Sequence, residues 1–139
     1  MTAYRHEYKH EINTSDFITL SMRLNAALKA NEFARADGAY EITSLYFDDV
    51  YGTALEEKIS GVNGRDKFRL RRYNNDTDHI KLEKKSKRGG LCLKECAVIT
   101  AAQAQSIIGG DIDFLAAQGG VMAELHSAVL VSYYGEYMG

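Results

Sequence analysis

Arg65-Asp66-Lys67-Phe68-Arg69-Leu70-Arg71-Arg72-Tyr73, then Ile80-Lys81-Leu82-Glu83-Lys84-Lys85, then Leu91-Cys92-Leu93-Lys94 past Gly89-Gly90, is the stretch that decides the fold. Charge recurs at every second residue, and a period of two is the strand period. Lys67, Arg69 and Arg71 therefore project from one face with Tyr73, while Phe68, Leu70 and Arg72 project from the other. Lys81, Glu83 and Lys85 share a face in the same way, opposite Ile80, Leu82 and Lys84. Like charges crowded on a sheet face are costly unless an anion neutralises them. A bound polyanion, with a phosphate chain as the first candidate, is the functional expectation.

Working outward, residues 65–73, 78–86 and 91–99 read as three strands joined by hairpin connections at 74–78 and 87–90. Residues 3–12 alternate as a strand, with Arg5, Glu7, Lys9 and Glu11 on one face. Asn13-Thr14-Ser15-Asp16 is a run of N-cap residues, predicting a helix to about Ala30 that buries Phe17, Leu20, Leu24 and Leu28. Tyr40 to Asp48 is a further strand, and Asp48 or Asp49 can cap a helix over 50–59. Thr100 can cap a helix to Ile108. Helical stretches over 111–118 and 121–126 precede a last strand over 128–134. The class is α+β: an antiparallel sheet with flanking helices.

The chain has 139 residues, 45% hydrophobic and 26% charged, as expected for one soluble domain. No apolar run is long enough for a membrane span, and no signal peptide is visible at the N-terminus, so a cytoplasmic location is expected. Cys92 and Cys96 share a strand face at a spacing unsuited to bridging, and read as free thiols. The net charge of −2 conceals a segregation. Residues 65–94 hold eleven Lys/Arg and four Asp/Glu, while the rest holds six and fifteen. The local charge points to an anionic ligand where the overall charge does not.

Two readings compete for the alternating charges. Arg5-x-Glu7-x-Lys9-x-Glu11 is either a solvated edge or a wet functional face. Lys67-x-Arg69-x-Arg71 is harder to read as merely solvated, and arginine suits phosphate oxygens through its planar fork. Nucleic acid competes as the ligand, but interleaved aromatics are sparse and no helix-turn-helix, RRM or zinc-finger pattern occurs. There is no GxxxxGK[ST] loop, and no His/Cys ligand spacing.

Tyr4-Arg5-His6-Glu7-Tyr8-Lys9-His10-Glu11-Ile12, Ile42-Thr43-Ser44-Leu45-Tyr46-Phe47-Asp48-Asp49, Lys67 to Tyr73 and Ile80 to Lys85 occur in the order seen in bacterial VTC-domain proteins, which this chain resembles. VTC is the vacuolar transporter chaperone domain, a polyphosphate polymerase module of the triphosphate tunnel metalloenzyme superfamily, together with the CYTH enzymes. The resemblance implies that the antiparallel sheet forms part of a triphosphate-tunnel barrel, with residues 1–139 as one tunnel domain ending before the family's C-terminal strands. It implies phosphate binding by Arg5, Lys9, Lys67, Arg69, Arg71, Lys81, Lys85 and Lys94, with Lys9, Arg69 and Arg71 catalytic. Glu7, Lys9 and Arg5 would line the wall opposite Lys67, Arg69 and Arg71.

The resemblance also implies a divalent metal, Mn or Mg, with Glu7 and Glu83 as ligands here and the family's principal ligand beyond this chain. The ligand would be polyphosphate, ATP or another phosphate-rich anion, and the reaction ATP-dependent polyphosphate synthesis. A homodimer could complete the tunnel. Alternatives are a non-catalytic polyphosphate or inositol-polyphosphate binder, a CYTH-type triphosphatase, and a nucleic-acid-binding module. Arg5-x-Glu7-x-Lys9 departs from the Glu-x-Glu-x-Lys signature of the CYTH group.

Overall fold

The computed structural model describes residues 3–30, 32, 34–36, 39–47, 53–61 and 63–128. They form two compact units, one of Met1–His6 with Glu41–Gly139 and the other of Glu7–Tyr40.

The larger unit is an antiparallel five-stranded sheet with helices, an α+β fold as expected. The strands are Arg5–His6 (β1), Ile42–Phe47 (β2), Arg65–Tyr73 (β3), Ile80–Arg88 (β4) and Leu91–Ile99 (β5). Their order is β1-β5-β4-β3-β2, so β1 and β2 are the edges among the described residues. β3, β4 and β5 form a meander in which the register is set by the alternation. Leu70 lies opposite Leu82, and Leu82 opposite Ala97, on one face. Arg69 lies opposite Glu83, and Glu83 opposite Cys96, on the other.

Turn chemistry fixes both hairpins. Gly89 and Gly90 have φ of 56° and 79°. Two positive φ values in a two-residue loop suit the twist of the strands they join, and glycine takes them without a Cβ clash. After β3, Asn74 and Asn75 also have positive φ, which Asn tolerates better than most residues. Asn74 ties the turn to Glu41 through both backbone and side chain, its N–H donating to the Glu41 carbonyl and its Oδ1 accepting from the Glu41 N–H, both at 2.9 Å.

The apolar sheet face carries Phe47, Phe68, Leu70, Ile80, Leu82 and Ile99. Onto it pack Ala104 and Ile107 of helix Ala101–Ile108 (α3), Leu115 of helix Asp113–Gln118 (α4), and Val121 and Leu125 of helix Gly120–Ala128 (α5). Burying a side chain the size of Leu82 contributes about 2 kcal/mol. Thr100 starts α3 with a full capping box: its hydroxyl accepts from the Gln103 N–H, and the Gln103 side chain accepts from the Thr100 N–H. Lys84, a charge set among the apolar positions of β4, ion-pairs with Glu124 of α5. No described helix is long and apolar enough to cross a membrane.

Three sequence expectations need correction. The first strand is two residues long rather than ten, because Arg5 pairs with Cys92 and His6 with Leu91, where β5 begins. Beyond His6 the ladder would meet the Gly89-Gly90 turn. The helix after Asn13 is Thr14–Ala27, labelled α1, with Asn13 Oδ1 accepting from the Asp16 N–H at 2.8 Å. Its expected buried face is exposed, with Phe17, Leu20, Leu24 and Leu28 all accessible. Among its described residues the smaller unit has no second helix or strand to cover that face. The helix expected over 50–59 is present at Thr53–Ser60, labelled α2, while residues 50–52 and its expected caps, Asp48 and Asp49, lie outside the described residues. The turn or two expected near Val121 is a nine-residue helix. The last strand, over 128–134, lies outside the described residues from 129 onward.

Candidate functional site: a cationic sheet face

Opposite the apolar core, the sheet gathers charge in rows across its strands. Lys67, Lys85 and Lys94 occupy one row. Tyr46, Arg69, Glu83 and Cys96 occupy the next, and Ser44, Arg71, Lys81 and Val98 the one after. These rows hold six cationic side chains and a single carboxylate. Arg5 joins the same face from the edge, opposite Cys92.

The carboxylate is the best-buried group on the face. Glu83 is 1% exposed, and its Oε2 accepts from Arg69 Nε at 2.6 Å. Its Oε1 has no hydrogen-bond partner among the described residues and lies 3.7 Å from Lys94 Nζ. Arg69 is held further by Tyr46, its Nη1 donating to the phenol oxygen at 3.1 Å. The Arg69 guanidinium is held above its ordinary pKa. Burial opposes its charge, but the hydrogen bonds with Tyr46 and Glu83 and the Glu83 charge outweigh that.

Arg71 is positioned by β2, with Nε donating to the Ser44 hydroxyl at 3.1 Å. Ser44 is itself buried. Lys81 lies over the Tyr73 ring, 5.9 Å from its centroid, a cation–π distance. The face thus has two fixed arginines, braced from β2 and β4, among lysines on longer stems.

Of the sequence-predicted residues, Arg5, Lys67, Arg69, Arg71, Lys81, Glu83, Lys85 and Lys94 share this face. Glu7 and Lys9 belong to the smaller unit, where they lie 3.8 Å apart as an ion pair. Sequence reasoning missed Ser44 and Tyr46, which brace the arginines. Their spacing of two in Ser44-Leu45-Tyr46-Phe47 was the available signal, since it places both opposite the core residues Leu45 and Phe47. Cys92 and Cys96 are free thiols, as expected.

The described side chains include no group of three or more His, Cys, Asp or Glu able to hold a divalent metal. Glu83 faces Arg69 and Lys94, and cations within ion-pairing distance of both oxygens oppose a second, metallic charge. Glu83 acts here as a counter-ion that fixes Arg69.

No curated protein matches the chain. The family profile of the VTC domain matches residues 4–133, a span that includes every strand of the cationic face. The chain belongs to the VTC domain family.

Proposed function

We propose that the cationic face binds a linear phosphate chain, as polyphosphate or as the triphosphate of a nucleotide. The observation carrying this reading is the row Lys67, Lys85, Lys94. Three lysines aligned across three strands set a line of positive charge, along which a chain of phosphates can be held at regular intervals. Arg69 and Arg71 would clamp phosphate oxygens at the centre, with Lys81 and Arg5 extending the track. The family activity, ATP-dependent polyphosphate synthesis, would use such a face for alignment and charge neutralisation of the transferred phosphoryl group.

The test is titration with polyphosphate of defined length, in competition with short DNA and RNA at physiological salt. Polyphosphate should bind tightly and resist displacement; efficient displacement by nucleic acid would sink the reading. Incubation with ATP and Mn²⁺ then separates a polymerase, which yields polyphosphate, from a binder or a triphosphatase, which does not.

A further inference from the structure

A pocket lies beside the helix-covered side of the sheet, and its lining also takes in Ser44 and Arg71. It has a volume of about 400 Å³ and opens between β2, β3, the start of β4 and α3. Its walls are largely apolar, with Leu45, Leu70 and Ile80 from the sheet and Ile108 from α3. Thr43, Ser44, Arg71, Arg72, Thr77 and Gln105 interrupt them. Thr43 and Arg72 are directly opposed across β2 and β3, and both line the pocket. Thr43 Oγ1 and Arg72 Nε are each buried without a hydrogen-bond partner among the described residues.

Buried polar atoms are nearly always paired, because desolvating a donor without a partner is costly. Here a hydroxyl and a guanidinium N–H are left unpaired on two residues that are opposed across two strands and line the pocket. Both can donate, so the group that satisfies both is an acceptor, and the guanidinium selects a negative one. The surrounding aliphatic walls select an apolar body attached to it. The volume lies in the usual range for small-molecule sites. Inorganic phosphate and polyphosphate offer no apolar body, so this pocket and the cationic face call for different ligands.

We propose that the pocket between α3 and the β2–β3 pair binds a small aliphatic carboxylate, its headgroup on Arg72 and Thr43 and its chain against Leu45, Leu70 and Ile80.

Isothermal titration of the full chain with decanoate tests this, with decylamine and inorganic phosphate as comparison probes. Decanoate should saturate one site, while decylamine and phosphate should not. Arg72→Gln should weaken decanoate binding about tenfold or more, the scale of a lost charge-assisted contact. Ala104→Leu, which fills the pocket from α3, should abolish it. Thr43→Val removes an unpaired buried hydroxyl, so it should fold at least as stably as the parent while binding decanoate more weakly. Polyphosphate affinity should be unchanged in all three variants. Absence of saturable decanoate binding, equal affinity for decylamine, or full affinity in Arg72→Gln would each overturn the proposal. Should Ala104→Leu fail to fold, the Arg72→Gln and Thr43→Val titrations decide alone.

Discussion

Arg69 and Glu83 face each other directly across β3 and β4, with Nε and Oε2 2.6 Å apart and the carboxylate almost wholly enclosed. Breaking such a pair strands a buried charge. Glu83→Gln should therefore cost about 3 kcal/mol of unfolding free energy, measured by urea denaturation. The double variant Arg69→Met/Glu83→Leu should lose much less than the two single changes combined. A cost below about 1 kcal/mol for Glu83→Gln would show that solvent screens the pair.

Arg69 and Arg71 are two residues apart but predict different outcomes. Arg71 bonds a neutral hydroxyl, on Ser44. Arg71→Ala should cost about 1 kcal/mol of stability and weaken polyphosphate binding about tenfold. Arg69→Ala should weaken binding too, but with a stability loss near that of Glu83→Gln. Equal and large stability losses for both would recast Arg71 as structural.

Lys84 ties β4 to α5 and gives stability an alkaline limit. Its amine is held above the ordinary lysine value: burial opposes the charge, and the ion pair with Glu124, helped by Asp66 and Glu95, outweighs it. A raised value means the folded state binds the proton more tightly. The contribution is thus complete below about pH 10.4, the unfolded value, and is lost as pH rises through the folded one. Glu124 is partly exposed, so screening keeps the effect under about 1 kcal/mol. The stability gap between parent and Lys84→Met should shrink from pH 8 to about pH 11; a constant gap would remove the ion pair as its source.

Gly89 and Gly90 have positive φ, and a Cβ at either would meet nothing within 4 Å. Gly89→Ala should still cost about 1 kcal/mol in thermal or urea unfolding, through backbone strain alone. Gly89→Asn should cost less, because Asn tolerates that conformation. Equal losses would point to the side chain rather than the backbone.

Much of the sheet was legible because its alternation is unusually strict. The charged and apolar positions of β3 and β4 predicted both faces, and the Asn-rich and Gly-Gly connections predicted both hairpins. The capping residues Asn13 and Thr100 located two helix starts. Other features were not legible for identifiable reasons. Alternation over residues 3–12 shows that a strand is compatible, but strand length depends on how much partner backbone is available, and β5 begins at Leu91. The stripe of Phe17, Leu20, Leu24 and Leu28 shows an amphipathic helix without saying what covers it. At the site, the basic residues were evident from spacing, whereas Glu83 as the anchor of Arg69 required the cross-strand register. The spacing of Ser44 and Tyr46 places them on that face, but their arginine partners, more than twenty residues along the chain, needed the same register.

The alternation on β4 also acts as a proofreader during folding. A shift of one residue against β3 would turn Leu82 and Ile80 toward the cations and drive Lys81, Glu83 and Lys85 beneath the helices. Every position would be wrong at once, so a misregistered hairpin has no partial reward to hold it. The pattern that creates the cationic face therefore also makes its faulty assembly short-lived.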